Sequence, residues 1–467
     1  MASRILVFVA LITLMAVTGL SAFAQDQSRK PPKGLSLAER GYWILLNKPL
    51  VADLMTEADY DSLWKVWPEP LRANAEKAGP KERRVLTLER YGFQESPDRP
   101  AGSIPQQFTV DGKGGLTANC LACHGGKVAG QVLPGRGNSH FNEIAFNEDV
   151  TKLLTQTGRQ PAPPPPLMPV PASIPVRGLN NAFGEALAFL SVRDRNMDLT
   201  LDKLQFAIPP AEALNIPMRT PPYWHAYRKK SFYYDGFVEK SHRDIMQFSF
   251  GPALSGEAAR ALEDDFKAIY AWINSVRPPK YRWDIDAPLA AKGREVFSAH
   301  CAGCHGKYAP TGYFPEKLIA LSDIGTDPLR ANLSVAFKNH LGQSWLGFYG
   351  KTSLRTEPKG YVAPPLNGIW AQAPYLHNGS IPTLWHLLNP DKRPAVWLSS
   401  EDGYDQARVG VEVKEFDRVP DAVQSEHERR LYYQTNLRGL SNQGHRYPPK
   451  GLSEAETRSL LEYLKLL

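Results

Sequence analysis

From Leu35 to about Ala78 the apolar positions recur at helical spacing, with Trp43, Leu45 and Leu46 followed by Leu63, Trp64 and Trp67, and predict a helical N-terminal segment. A helix is predicted from Glu257 to Val276, with Leu262, Phe266, Ile269, Trp272 and Ile273 on one face, ending before Pro278-Pro279. Ala290 to Ala299 forms another, which delivers Phe297 and then Cys301. Leu452 to Leu467 closes the chain as a helix, with Ser453 and Glu456 spaced as a capping box. Residues 161–175 contain Pro161, Pro163 to Pro166, Pro169, Pro171 and Pro175, which hold the chain extended as a surface crossing or internal linker. At the start, Arg4, the apolar Ile5 to Leu20 and Ser21-Ala-Phe-Ala24 form the three regions of a secretory signal cleaved after Ala24. That apolar run is short for a membrane span, and no later stretch approaches the roughly 18 to 20 apolar residues that one needs.

Chemistry enters at Cys120-Leu-Ala-Cys123-His124, which recurs as Cys301-Ala-Gly-Cys304-His305, the two motifs using all four cysteines. In a Cys-x-x-Cys-His motif the thiols add across the vinyl groups of a haem and the adjacent histidine supplies the proximal nitrogen to iron. A four-cysteine zinc site, two short disulfides or a thioredoxin-like pair would use the same cysteines. None of these needs a histidine after both pairs, so the spacing favours two covalent haem c groups. Glycines flank the first motif, at Asp111-Gly-Lys-Gly-Gly115 and at Gly125-Gly126, where small residues let backbone approach a porphyrin. Haem of this type is attached outside the bacterial cytoplasm, so signal and motif both predict a periplasmic or secreted protein. The net charge of +7 falls toward neutral without Arg4 and with four haem propionates, and gives no reason to expect a nucleic-acid partner.

Thr220-Pro-Pro-Tyr to Asp235-Gly236 lies over Ala363-Pro-Pro-Leu to Asn378-Gly379 without a gap, each Pro-Pro to Gly interval being 15 residues (236 − 221 and 379 − 364). Tyr234 then corresponds to His377. With a Cys-x-x-Cys-His before each copy, the chain from about 105 to 467 resembles the bacterial di-haem cytochrome c peroxidase superfamily. Ala373-Pro-Tyr-Leu-His-Asn-Gly-Ser-Ile-Pro-Thr-Leu384, Ile324-Gly-Thr-Asp327 and Ser441-Asn-Gln-Gly-His445 look most like its branch containing the di-haem rubber oxygenases. The resemblance implies a mainly α fold of two cytochrome c-like domains related by duplication, here 105–280 and 281–467, after a helical extension at 25–104. It also implies one haem that conducts electrons with both axial positions filled and another that meets peroxide or dioxygen. Relatives bind calcium between the domains; no Asp/Asn cluster here has a calcium-loop spacing, and calcium is left open.

His124 and His305 are the proximal ligands on this reading. No methionine lies beyond residue 305, so the second iron takes histidine, tyrosine or nothing as its other ligand, and His445, before the closing helix, is the favoured residue. His377 reads as a hydrogen-bonding residue near the haem edge and His386 as packed on a helix. For the first iron, His140 in Pro134-Gly-Arg-Gly-Asn-Ser-His140 resembles the removable ligand of the peroxidases, and a permanently open site is the alternative; His225 and His242 are weaker candidates. The segment expected above that iron, His242 to Phe250, offers Asp244 and Gln247 for proton transfer and Phe248 and Phe250 to line an apolar dioxygen pocket. It lacks the peroxidase spacing. Tyr234 stands where relatives carry a tryptophan between the haems, and is either on the electron path or an ordinary packed tyrosine. The expected protein is therefore an exported oxidoreductase-type di-haem cytochrome. A small redox protein would exchange electrons with it, with peroxide, dioxygen or an apolar small molecule at the first haem. A plain carrier with both irons six-coordinate is the alternative.

Overall fold

The computed structural model describes residues 29–159, 176–200 apart from 183, 185, 187–189 and 191, then 215–249, 254–308, 312–332, and 350–467 apart from 356 and 358. The signal segment, the proline-rich stretch at 161–175, His340 and Phe250 lie outside these residues.

Helix α1, Leu37–Asn47, opens with the reciprocal bonds of Ser36 and Glu39. The helical pattern that follows it is cut by Pro49, Pro68 and Pro70 into the short turns Glu57–Tyr60, Leu63–Val66 and Leu71–Lys77, because proline cannot donate within a helix. Strand β1 (Met55–Thr56), helix α2 (Pro80–Tyr91) and strands β2 (Phe108–Val110) and β3 (Gly115–Ala118) come next, the strands forming an antiparallel sheet of order β1-β3-β2. Helix α3, Glu143–Gln156, packs Phe146 and Leu153 against Tyr60, Tyr91, Phe93 and Phe108 in an aromatic core that also touches Cys123.

The helix expected over 257–276 is broken at Leu262 into Gly256–Ala261 and α4, Glu263–Ser275. Its apolar face is buried as the spacing predicts, with Phe266, Ile269, Trp272 and Ile273 against Ile44 and Leu45 of α1 and Tyr42 stacked on Trp272 at 5.1 Å. Helix α5, Ala287–His300, is capped by Asp286 and ends where Cys301 begins the second haem motif. It crosses α6, Glu454–Leu464, so closely at Gly293 that a Cβ there would lie 1.9 Å from the Ser459 carbonyl oxygen. Phe297 of α5 and Leu460 and Tyr463 of α6 join Trp370 and Tyr375 in the core behind Cys301.

Among the described residues between α5 and α6, strands alternate with single short helical turns. Strands β4 (Leu318–Ala320) and β5 (Gly360–Val362) pair, and β6 (Val396–Asp405), β7 (Gly410–Phe416) and β8 (Tyr432–Gln434) form an antiparallel sheet of order β7-β6-β8. The expectation of a mainly α protein is thereby corrected: the described residues are mixed, with short helices beside strands spread over several small sheets. Forty prolines and 36 glycines keep most segments too short or too bent for long helices. Duplication is not shown either. The Pro-Pro segment at 364–365 leads on to the β6–β8 sheet, whereas the one at 221–222 leads through a 3-10 turn, Tyr223–Arg228, and the paired Ser231–Phe232 and Val238–Glu239 to the short helix His242–Met246.

Candidate haem sites

The second motif begins at the end of α5, and His305 follows on a single turn of helix, its amide bonded to the Cys301 carbonyl at 3.0 Å. Its Nδ1 donates to the carbonyl of Pro364 at 2.9 Å, which fixes the ring and leaves Nε2 with a lone pair for a metal. His445 faces it. The two ring centroids are 6.3 Å apart at an interplanar angle of 48°. A metal midway between two imidazoles, bound through nitrogen–metal bonds of about 2 Å, requires the centroids to lie roughly 6 Å apart.

The loop that presents His445 is held from several sides. The His445 amide donates to Ile324 O at 2.7 Å, and Arg393 donates to the carbonyls of Asn442 (2.6 Å) and Gly444 (2.8 Å). Gly444 and His445 both have left-handed backbone, at φ +78° and +49°. Burial pushes the His445 pKa down to about 3, with His305 and Arg393 adding to the shift, so the ring is neutral at physiological pH. Its Nδ1 finds no partner among the described residues. Both rings open into an apolar cavity walled by Cys301, Cys304, Leu366, Leu384, Leu388 and Leu460, with Arg219, Tyr234 and His377 also reaching it. A neutral, half-buried imidazole pair facing across an apolar space beside two half-buried thiols fits a covalently tethered haem.

At the first motif the His124 amide bonds to Cys120 O at 3.0 Å, and the following loop wraps back with Gly135 N on His124 O and Asn138 N on Cys123 O, both at 2.7 Å. Nδ1 of His124 is directed at the carbonyl of Pro221 but falls short of full hydrogen-bond geometry. Tyr223 stacks on the ring at 3.8 Å and 14°, and burial pushes the His124 pKa down to about 3. Each motif histidine thus lies beside the first proline of a Pro-Pro pair, and at His305 the contact is a hydrogen bond.

The same segments interlock. Arg219 N donates to His377 O at 2.8 Å and Val362 N donates to Tyr234 O at 2.7 Å, contacts related by one offset (362 − 219 = 143 and 377 − 234 = 143). Tyr233 and Leu376, also related by that offset, share left-handed backbone at φ +65° and +66°. The rings of Tyr234 and His377 stand 6.2 Å apart, and Tyr361 stacks on His377 at 4.2 Å with its hydroxyl 3.1 Å from Nε2. Arg136, buried in the loop after the first motif, donates to Ala371 O and Ala373 O at 2.8 and 2.9 Å and clamps the two halves together.

Other expected residues are placed elsewhere. His140 is buried with Nε2 4.0 Å from Glu401, in a small cavity with Arg177, Trp397 and Tyr433, and not against His124. His225 meets Gln372 at 2.7 Å, His242 pairs with Glu263 at 2.5 Å, and His386 bonds Thr383 at 2.8 Å. Gln247 donates to the hydroxyl of Tyr233 and to Asp244 O, and buried Asp244 has its pKa raised to about 7 by desolvation. Phe248 is 37% exposed, which does not suit the wall of a closed pocket. Tyr223, the Pro221 and Pro364 carbonyls, Arg136 and Arg219 went unread in the sequence, although the repeated Pro-Pro marked where the carbonyls lie.

Residues 360–398 match the family described as RoxA-like, cytochrome c-like. This stretch holds Pro364, His377 and the wall of the second cavity, and a cytochrome c-like domain of this kind implies a c-type haem and its iron. It agrees with the rubber oxygenase-like branch of the resemblance. The chain is also similar to two uncharacterized proteins of Sinorhizobium fredii (strain NBRC 101917 / NGR234). It is 28% identical to y4iM over 319 residues, covering 58% of this chain and 69% of that protein. It is 28% identical to y4iJ over 261 residues, covering 41% of each. No helix among the described residues is long and apolar enough to cross a membrane.

Proposed function

We propose that the protein is an exported di-haem c-type cytochrome that transfers electrons, with its second iron closed by His305 and His445 and its first open to peroxide or dioxygen. The observation that carries this reading is the facing imidazole pair 6.3 Å apart. Cys120, Cys123, Cys301 and Cys304 would hold the two haems as thioethers, and His124 would be the proximal ligand of the first. Bound haem supplies one-electron storage at each iron and, at an open position, a place for an oxygen ligand. The placement of His140 beside Glu401, in a small cavity with Trp397 and Tyr433, supports an open first site, since the expected loop ligand lies elsewhere.

Tyr234 and His377, in contact across the interlocked segments, supply aromatic density between the two sites and shorten the path for an electron. On this reading the side chains of Gln247 and Asp244 would hold or move a proton for the first site: an amide fixed on Tyr233 and a carboxyl poised near neutrality. A small redox protein is the expected electron partner, and residues 1–24 the export signal.

The test is haem stoichiometry followed by turnover of the purified holoprotein. Two covalent haems per chain are expected, with either peroxide reduction by a reduced cytochrome or oxygen consumption with an apolar substrate. Two haems without either turnover leaves a plain electron carrier; one haem or none contradicts the reading.

A further inference from the structure

Arg219 brings an unusual charge to the second cavity. Among the described residues that line it, Arg219 is the one arginine or lysine, and no aspartate or glutamate accompanies it. The side chain is half-buried and firmly placed: Nε donates to Leu376 O at 3.2 Å, one Nη donates to Gln372 O at 2.7 Å, and the guanidinium lies 5.9 Å from the Tyr234 ring centre. It forms no ion pair among the described residues. A guanidinium has five N–H donors in a planar fork that matches a carboxylate, and backbone carbonyls take two of them here. A haem carries two carboxylates, its propionates, into a space whose described lining offers no other arginine or lysine to neutralise them.

We infer that Arg219 is the propionate anchor of the second haem, an inference that rests on the reading of this cavity as a haem site. The anchor arrives from the other half of the chain. Two residues on, Pro221 faces the first motif's His124, and the Arg219 carbonyl accepts from the Tyr234 hydroxyl at 2.8 Å. Arg219 therefore ties the charge state of the second haem to the segment that seats the first. A cation beside a haem propionate favours the reduced iron, because it offsets the electron's added negative charge.

The experiment is a potentiometric titration of the holoprotein and of Arg219→Gln and Arg219→Lys, with haem content and electron paramagnetic resonance spectra of each. Both haems should stay attached in Arg219→Gln while the low-spin bis-histidine iron becomes at least tenfold harder to reduce, about 59 mV for one electron. Arg219→Lys, which keeps the charge, should recover most of that loss. An unchanged potential in Arg219→Gln with both haems in place overturns the inference, as does a loss in Arg219→Lys equal to that in Arg219→Gln. Absence of a second haem from the wild type would instead sink the haem reading itself. Should Arg219→Gln fail to fold, a crystal structure of the wild-type holoprotein decides. A propionate oxygen within hydrogen-bond distance of the guanidinium is expected, and both propionates turned away from it would contradict the anchor.

Discussion

His445 sits in a left-handed backbone conformation that costs a non-glycine residue energy and persists where the surroundings over-determine it. Arg393 on two carbonyls and Ile324 on the amide supply that determination. Gly444 is the weak point, because a Cβ there would come 2.3 Å from the backbone of Gly325 and Thr326 at φ +78°. Gly444→Ala should cost on the order of 2 kcal/mol in denaturant unfolding and displace His445, seen as partial conversion of a low-spin iron to high spin. Asp244 gives a pH-dependent counterpart. Burial raises its carboxyl from the usual 3.8 to about 7, so the native state binds a proton that the unfolded chain has released. Its contribution is complete below the unfolded pKa and is lost as pH rises through about 7, on the order of 4 kcal/mol in all. Urea unfolding at pH 5 and pH 8 should therefore show a steeper loss for wild type than for Asp244→Asn; equal losses would argue against a buried neutral carboxyl.

At the scale of elements, two helices frame the second motif, and their contact is set by one missing side chain. Gly293 lets α5 lie against the Ser459 carbonyl of α6, and Phe297, one turn on, reaches the cavity wall because of it. Gly293→Ala forces the helices apart and should cost roughly 1–3 kcal/mol by chemical denaturation. A neutral result would mean that the crossing is looser than described. Both helices were legible in the sequence: α5 extends from 287 to 300 around the expected 290–299, and α6 keeps the Ser453–Glu456 capping box. The β6–β7 hairpin was not read, although Val411 and Val413 alternate with Glu412 and Lys414 at the period of a strand with one covered face. In the N-terminal segment Pro49, Pro68 and Pro70 interrupt a pattern whose apolar spacing alone reads as continuous.

Across the whole molecule the two motif regions share apolar clusters, Val128 and Trp224 with Trp370 and Tyr375, and Ile144, Val176 and Leu179 with Trp397 and Tyr433, and polar backbone contacts add to them. Arg136 is central, a buried guanidinium whose pKa burial lowers to about 9 and whose donors hold the carbonyls of Ala371 and Ala373. Arg136→Met leaves those carbonyls buried without partners and should cost on the order of 3 kcal/mol. It should also lower the temperature of the thermal transition followed at the haem bands. One sharp transition at an unchanged temperature would remove Arg136 from the clamp. Such long-range pairings carry no periodicity, which is why the sequence showed the motif residues and His445 but not the contacts that bring the halves together. His140 illustrates the same limit: its loop follows the first motif closely, yet packing against Glu401 and the β6–β8 sheet decides where the ring goes.

The most direct measurement is electron paramagnetic resonance of the fully oxidised holoprotein beside His445→Ala. The account predicts one low-spin iron of bis-imidazole type and one high-spin iron in the wild type, with the low-spin signal replaced by high spin in His445→Ala. A low-spin signal that survives the substitution unchanged, or a wild type with no low-spin iron, would contradict the pairing of His305 with His445 on which the account rests.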